Sequence, residues 1–367
     1  MNLLSFIEIN VEQFEKNISI IRNNINGALL CLAVKANAYG HGIIEISKTA
    51  QDLGVDYLCC ANLQEGIKLR DANIKLPILV LGPYLEDQIK DLIDYDLDIN
   101  ISSFLKARLV EKVCEKYKIK ARVHLKVDTG LRRIGVRVDT ANDLYNHLIA
   151  NDSFNLVGIY SHLACADDKD NPFNLEQINL FTDFIKKIKP DKKIICHLAN
   201  SGGVSYFENS YFDMVRVGAL AYGCFLGKKT ERFSKIDSIF SVKSKVSYFK
   251  VVEKNQGISY GHTYVTKNAT RIVTIPIGYG DGYLRGLSNK GNVLINGKKY
   301  RIVGNICMDS FMVDALNDNV FVGDEVVLIG EQGREKILVQ EIANFCNTIS
   351  YEILCSFNER LPRIYKK

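Results

Sequence analysis

Short apolar runs alternate with amphipathic segments over about the first 220 residues of the chain. The amphipathic segments, such as Ile43–Leu53, Gln64–Ala72 and Leu175–Ile188, repeat their apolar residues at the spacing of a helix. The apolar runs have the length of strands, and they are Leu30–Val34, Tyr57–Ala61, Ile78–Leu81, Leu97–Ile101, Arg122–Val127, Leu156–Ser161, Ile194–Leu198 and Met214–Val217. Because these runs are almost continuously apolar, they predict a parallel sheet with both faces covered by helices.

This alternation is compatible with two α/β architectures. Eight strand–helix units in one domain fit a TIM (β/α)8 barrel, which typically needs about 250 residues. A doubly wound open sheet is the rival, but no G-x-G-x-x-G sequence follows an early strand. We therefore predict an N-terminal TIM barrel.

The pattern changes after about residue 230, where apolar strands follow one another with few helical segments between them. The candidate strands lie in Ser238–Val252, Arg271–Pro276, Val293–Asn296, Tyr300–Val303, Phe311–Leu316 and Glu325–Ile329, and one helical segment, Val339–Asn347, follows them. We predict a barrel domain over residues 1–230 and a C-terminal, mainly β domain over residues 231–367. Pairing of the first few residues with the β domain stays open.

Composition narrows the class of protein. With 367 residues, of which 47% are hydrophobic and 24% charged, the chain is long enough for two globular domains. No apolar run is long enough to span a membrane and the N-terminus lacks a secretory signal, so we expect a cytoplasmic protein. The net charge of +5 is dispersed, which argues against a nucleic-acid partner. The cysteines include no C-x-x-C pair, so we expect no metal site.

Polar residues lie at or just beyond the carboxyl ends of several predicted strands, where TIM-barrel active sites are found. They are Lys35 after the first strand, Lys126, Asp128 and Arg133 on or after the fifth, His162 after the sixth, Asn200–Gly203 after the seventh and Arg216 on the eighth. A lysine at the end of a buried strand loses solvation, which lowers its pKa and suits it to forming a Schiff base with a cofactor. Taken alone, Lys35 also fits a lysine that extends into solvent, and His162 also fits a hydrogen-bonded core histidine.

The loops after the seventh and eighth strands are the usual phosphate-binding region of this fold. Ser201 and the backbone amides around Gly218 and Ala219 supply neutral hydrogen-bond donors there. In the second domain, Ser259–Tyr264 and Ile277–Tyr283 combine glycine with tyrosine. These segments indicate either a close approach of backbone to a ligand or surface turns filled by aromatic rings.

The segment Ala33–Gly42, with the sequence AVKANAYGHG, resembles the cofactor-lysine motif of alanine racemases. Other segments resemble the same family in the same order along nearly the whole chain, and they are Lys126–Gly135, Ser161–Ala164, His197–Gly202, Val215–Gly223, Ser259–Tyr264, Ile277–Tyr283, Cys307–Asp309 and Ser350–Ile353. The resemblance implies an N-terminal TIM barrel, a C-terminal β domain, pyridoxal 5'-phosphate (PLP) as cofactor and a head-to-tail homodimer that shares its active sites.

The resemblance also implies a reaction, the interconversion of L-alanine and D-alanine, which supplies D-alanine for peptidoglycan. Lys35 would hold PLP as an aldimine and act as one acid or base, and Tyr260 from the partner subunit would act as the other. Two bases on opposite faces of one Cα suit racemisation, because one removes the proton and the other returns it on the far side. Arg216 would face the pyridine nitrogen and leave it unprotonated, and His162 would tune Tyr260.

Supporting roles follow from the same resemblance. Tyr39, Ser201, Tyr351 and the backbone near Gly218 and Ala219 would bind the phosphate, Arg133 and Met308 would contact the substrate carboxylate, Lys126 matches a lysine that is carbamylated in many members, and Tyr264 and Tyr279 would line the entrance. Asn305 stands where arginine is common, and Ser356–Arg363 keeps only part of the usual pattern. Neither departure removes a proposed catalytic group.

Three other functions stay open at this point. They are a racemase for serine or another small amino acid, a non-enzymatic PLP-binding barrel protein, and a decarboxylase of the same PLP fold type. The β domain and Tyr260 argue against the second. Arg216 argues against the third, because decarboxylases typically place a carboxylate at the pyridine nitrogen.

Overall fold

The computed structural model describes residues 3–224 and 227–367, which form two compact units. The first, called the barrel unit below, contains residues 15–38 and the described part of 42–236. The second, called the β unit, contains residues 3–14, 39–41 and 237–367. Residues 1 and 2, which the sequence places in the barrel domain, lie outside the described residues. The domain division predicted after residue 230 stays a prediction.

The barrel unit is built on a nearly closed parallel sheet, which confirms the predicted TIM-barrel architecture. In order around the barrel, the eight main strands are Met214–Val217, Leu29–Ala33, Tyr57–Cys60, Ile78–Val80, Asp98–Ile101, Ala121–Asp128, Phe154–Tyr160 and Ile195–His197, and the short strand Val136–Arg137 pairs with Ala121–Asp128. Two backbone hydrogen bonds of 2.9 Å, from Asp213 N to Cys196 O and from Arg216 N to Ala199 O, bring the last strand in this order back to the first.

Helices precede or follow the barrel strands along the chain. They are Val11–Arg22, Ile43–Asp52, Leu63–Asp71, Ile89–Asp94, Phe104–Tyr117, Val138–Ala150, Phe173–Ile188 and Ser201–Tyr206. Side chains of Asn62, Ser103 and Asn200 accept hydrogen bonds from backbone N–H groups in the first turns of three of them. Such caps satisfy donors that have no partner within the helix. Within residues 3–224 and 227–367, no helix has the length and apolar character needed to cross a membrane.

The chain leaves the barrel strand Leu29–Ala33 through a left-handed helical turn at Lys35–Tyr39, where the residues from 36 to 39 have φ of 53–54°. This conformation costs an L-residue roughly 1–2 kcal/mol, so other contacts must hold the turn in place. The carboxylate of Glu65 accepts hydrogen bonds from Ala36 N and Ala61 N, both at 2.7 Å. One side chain therefore fixes the chain just after the first and second barrel strands, next to Lys35.

The β unit is built on a ten-stranded sheet, which confirms the predicted mainly β domain. In spatial order, nine strands are Tyr248–Val252, Thr270–Ile275, Phe311–Asp314, Lys298–Val303, Asn292–Ile295, Glu325–Gln332, Phe240–Lys245, Phe6–Asn10 and Arg363–Lys366, and Glu335–Ile337 pairs with Glu325–Gln332. A two-stranded ribbon, Gly257–Ile258 with Tyr264–Val265, and the helices Val339–Cys346 and Ser350–Ser356 complete the unit.

The structure adds to the predicted pattern of the β unit at two places. The apolar segment Ser238–Val252 forms two strands, because its first part pairs with Glu325–Gln332 and its second part with Thr270–Ile275. The strand Phe6–Asn10, whose pairing with the β domain the sequence left open, lies between Phe240–Lys245 and Arg363–Lys366. Both features depend on pairing between distant segments, which local periodicity does not report.

Gly40 offers a test of the packing in the β unit. Its φ is +83°, and a Cβ added to it would lie 2.2 Å from the carbonyl oxygen of Leu354. Gly54 has a similar φ of +71° with no atom within 4 Å of such a Cβ, so Gly54→Ala isolates the cost of the backbone conformation. We expect Gly40→Ala to lower the free energy of unfolding by at least about 2 kcal/mol more than Gly54→Ala, as measured by chemical denaturation. Equal losses would contradict the predicted clash.

Candidate active site

Arg216 is a buried cation, 5% exposed, on the last barrel strand. Its Nη1 donates to His197 Nδ1 at 2.8 Å, and its Nη2 donates to Ser161 O at 2.6 Å, Leu198 O at 3.1 Å and His162 Nδ1 at 3.2 Å. All four acceptors are uncharged. Because a guanidinium group can only donate, both imidazole nitrogens must be unprotonated acceptors. His162 and His197 are therefore neutral rings whose protons lie on Nε2.

The other basic residues predicted at the strand ends lower the pKa of the same histidine, His162. Burial lowers the pKa of His162 well below its ordinary value, and the charges of Arg216, Lys126, Arg133 and Lys35 lower it further. The barrel unit thus places four basic side chains around one neutral histidine. Such a cluster attracts anionic ligands.

Lys126 is also buried, and its Nζ lies 4.3 Å from the centre of the Tyr160 ring. The guanidinium carbon of Arg216 lies 5.2 Å from the same ring. Burial, followed by the charges of Arg216 and Arg133, lowers the pKa of Lys126 to about 7, and Asp128 opposes this shift. At neutral pH, Lys126 is therefore a neutral amine in a large fraction of the molecules, and a neutral amine is nucleophilic.

The predicted phosphate-binding loops are joined through Ser201. Its Oγ accepts hydrogen bonds from Gly218 N at 3.1 Å and Leu220 N at 3.2 Å. Ser201 thus binds the backbone amides of Gly218 and Leu220. The sequence had suggested the amides of Gly218 and Ala219. Since the two amides occupy the acceptor positions of the hydroxyl, its own proton remains to be donated.

In the β unit, the two tyrosines predicted to bind phosphate lie together. The rings of Tyr39 and Tyr351 meet edge to face, with centroids 5.9 Å apart and an interplanar angle of 77°. Tyr39 ends the left-handed turn and Tyr351 lies in the helix Ser350–Ser356. Residues 312 positions apart in the chain are therefore neighbours in this unit.

Tyr260 is 75% exposed and follows a strained residue. Ser259 has φ 63° and ψ −175°, a conformation that is almost restricted to glycine. The Ser259 hydroxyl donates to Asn305 O at 2.6 Å, and Asn305 Nδ2 donates to Tyr260 O at 2.7 Å. Asn305, the departure from the family pattern, therefore supports the backbone that presents Tyr260.

The remaining predicted residues of the β unit fall into two groups. Tyr279 N donates to Cys307 O at 3.1 Å and Gly280 N to Met308 O at 2.8 Å, so Tyr279 and Met308 lie on adjoining exposed loops. Tyr264 instead donates its hydroxyl proton to Asp314 at 2.9 Å. Burial and this carboxylate raise the pKa of Tyr264 to about 12.

Several residues that shape the site were not predicted. Glu65 holds the turn after Lys35. The Tyr160 ring contacts Lys126 and stacks on the His197 ring, with centroids 4.9 Å apart. Asp98 and His124 lie in the barrel interior. A signal existed for the last two. Asp98 and His124 are polar residues within the apolar runs Leu97–Ile101 and Arg122–Val127, and buried polar side chains require partners.

The fold and these side chains define a TIM-barrel protein with a cationic site at the carboxyl ends of its strands, accompanied by a β domain. Comparison with known proteins identifies the family. The domain described as "Alanine racemase, N-terminal domain" matches residues 9–225, and "Alanine racemase, C-terminal domain" matches residues 239–365. The chain belongs to the alanine racemase family, whose members are isomerases.

Individual relatives agree over almost their full lengths. The alanine racemase of Halothermothrix orenii is 39% identical over 99% of this chain and 95% of its own, and that of Methanococcus maripaludis is 37% identical over 98% and 97%. The structure of alanine racemase from Clostridium difficile has a TM-score of 0.93 at 32% identity, covering 100% of this chain and 96% of its own. That from Bacillus anthracis, with bound L-Ala-P, has a TM-score of 0.91 at 32% identity, covering 100% and 96%.

The shifted pKa of Lys126 predicts how stability depends on pH. The unfolded lysine has a pKa of 10.5 and the folded one about 7, so the unfolded state binds more protons between these values. Below pH 7 the folded protein bears the full cost of a buried charge, and this cost fades as pH rises toward 10.5. Lys126→Met should therefore stabilise the cofactor-free protein by a few kcal/mol at pH 6, in bicarbonate-free buffer, and by much less at pH 10.

The control for this experiment is Lys120→Met, which removes an exposed lysine from the start of the same strand region. It should change the melting temperature little at either pH. A stability gain from Lys126→Met that is the same at both pH values would mean that the buried lysine carries no charge-related cost.

Proposed function

We propose that this protein is an alanine racemase that interconverts L-alanine and D-alanine with PLP held by Lys35. The observation that carries the proposal is the group of basic side chains Lys35, Lys126, Arg133 and Arg216 around the neutral His162. PLP brings a phosphate and a phenolic oxygen, and alanine brings a carboxylate, so the donor set fits both ligands. D-alanine made in the cytoplasm would supply peptidoglycan synthesis.

PLP, when bound, supplies the electron withdrawal that makes the α-proton of an amino acid labile. Lys35 would move a proton on one face of Cα, and Tyr260 of the partner subunit would move one on the opposite face. The exposure of Tyr260 is consistent with such a role across a homodimer interface. His162, with its proton on Nε2, can donate to a phenolate and so favour the deprotonated form of that tyrosine.

Arg216 would donate to the pyridine nitrogen. Because a guanidinium group does not readily give up its proton, Arg216 would leave that nitrogen unprotonated, and the electron withdrawal that PLP supplies would be moderate. Arg216 would in this way disfavour transamination as a side reaction. This role distinguishes the proposed racemase from a decarboxylase, where a carboxylate would occupy the same position.

The other predicted residues complete the proposed site. The phosphate would be bound by Ser201, the backbone near Gly218 and Ala219, Tyr39 and Tyr351. The substrate carboxylate would be bound by Arg133 of the same subunit and by Met308 of the partner subunit. The entrance would be lined by Tyr264 and Tyr279. The neutral amine of Lys126 can add carbon dioxide and lose a proton. The resulting carbamate would carry a negative charge that orients Arg133.

The proposal predicts that the purified protein with added PLP forms D-alanine from L-alanine, and forms D-serine from L-serine much more slowly. Borohydride reduction followed by peptide mapping should place the pyridoxyl group on Lys35, because this lysine ends the first barrel strand within the matched motif. No D-alanine would contradict the proposed reaction. A pyridoxyl group on Lys126, or none, would contradict the assignment of Lys35.

The shared active site predicts complementation between inactive subunits. Lys35→Ala and Tyr260→Phe homodimers should each be nearly inactive. When equal amounts exchange subunits, about half of the dimers are mixed, and each mixed dimer has one site with both substitutions and one with neither. Activity should recover toward roughly a quarter of wild type. Absence of recovery, with exchange confirmed by differently tagged subunits, would mean that Lys35 and Tyr260 do not act across an interface.

A further inference from the structure

A row of buried polar side chains leads from Arg216 through the barrel interior. His197 Nε2 lies 3.0 Å from His124 Nδ1, and His124 Nε2 lies 3.4 Å from Asp98 Oδ2 and 3.3 Å from the Tyr57 hydroxyl oxygen. Both imidazoles are fully buried, and Asp98 is 1% exposed. Beyond Asp98, Arg122 Nε donates to Asp98 Oδ1 at 2.6 Å, and the Arg122 side chain is partly exposed. The row thus connects the candidate active site to solvent.

One arrangement of protons satisfies every contact in this row. Arg216 can only donate, so His197 accepts at Nδ1 and carries its proton on Nε2. That proton is donated to His124 Nδ1, which leaves the His124 proton on Nε2, facing Asp98 and the Tyr57 hydroxyl oxygen, which can accept because Tyr57 gives its own proton to Asp98. A carboxylate can only accept, so both ends of the row impose the same direction.

Asp98 fixes this direction from the far side of the barrel. Asp98 is the first residue of the strand Asp98–Ile101 and therefore lies at the amino ends of the barrel strands, whereas the candidate active site lies at their carboxyl ends. Burial alone would raise the pKa of Asp98, but hydrogen bonds from His124 and Arg122 lower it below its ordinary value. Tyr57 donates its hydroxyl proton to the same carboxylate. Asp98 therefore stays ionised and remains an acceptor.

We propose that Asp98 is a positioning residue for Arg216, acting through His124 and His197. Its carboxylate holds the protons of both rings on Nε2, so that His197 presents a lone pair to the guanidinium. An amide at this place offers an N–H group to His124 Nε2, which favours the reversed arrangement. In that arrangement the Nδ1–H of His197 faces the donors of Arg216, and one hydrogen bond that holds the guanidinium is lost.

The effect on catalysis rests on the racemase function proposed above, whereas the proton positions do not. The test compares wild type with Asp98→Asn, which keeps the shape of the side chain. Asp56→Asn is the matched control, because Asp56 lies at the start of another barrel strand, directly before Tyr57–Cys60, and likewise pairs with an arginine, Arg22 at 3.3 Å. Asp56 also accepts a hydrogen bond from Leu30 N at 2.8 Å. Imidazole tautomers are read by nitrogen NMR on isotope-labelled histidine, assigned with single His→Gln variants, and kcat and KM are measured on the PLP-loaded enzymes.

Wild type and Asp56→Asn should both carry the protons of His124 and His197 on Nε2. Asp98→Asn should move the His124 proton to Nδ1. It should also lower kcat by about tenfold or more, with KM for L-alanine changed less than about threefold, because the altered group does not touch substrate. A tautomer change without a change in kcat would overturn the catalytic part of the proposal.

Tautomers that are unchanged in Asp98→Asn would overturn the proposed role of the carboxylate. If this variant does not fold, the wild-type spectrum still decides, since a proton on Nδ1 of either ring contradicts the arrangement. A third outcome separates the two proposals: the wild type has the expected tautomers, Asp98→Asn changes them, and yet the wild type does not racemise alanine. This result would overturn the proposed function and still support Asp98 as the residue that positions Arg216.

Discussion

The barrel unit depends on the burial of the Arg216 charge without a carboxylate against it. Removing an ion from water costs several kcal/mol even after the surroundings relax. Four hydrogen bonds to uncharged acceptors offset that cost, since bonds to charged groups contribute about 1.5–3 kcal/mol each. The arrangement forces His162 and His197 to be neutral acceptors. It also leaves the positive charge uncompensated by protein, which is the condition for receiving an anionic or lone-pair-bearing ligand.

Backbone strain accompanies two of the proposed reacting groups. The left-handed turn begins at Lys35, and Ser259 has a glycine-like conformation immediately before Tyr260. Each is held by side-chain bonds, from Glu65 in one case and through Asn305 in the other. Strain of this kind persists only where the surrounding structure determines it. The two loops thus hold Lys35 and Tyr260 in fixed backbone geometries within their own units.

The barrel strands could be predicted from sequence because strands buried on both faces read as continuous apolar runs. Lys35, Lys126, Arg133, His162 and Arg216 could be predicted as neighbours because parallel strands end at one face of a barrel. The row from Arg216 to Asp98 could not, since its bonds cross between strands that are distant in sequence. Neither could the division of Ser238–Val252, because the change of pairing partner is a tertiary effect. The left-handed turn lacks a local signature, as alanine and asparagine do not require it.

The central claim is that Arg216 remains a charged donor and meets the cofactor nitrogen without protonating it. Nitrogen NMR of the protein loaded with PLP that carries an isotope label at the ring nitrogen tests this claim directly. The account predicts the signal of a neutral, hydrogen-bonded pyridine in wild type, and a shift toward a protonated ring in Arg216→Glu. A protonated pyridine nitrogen in the wild-type protein would contradict it.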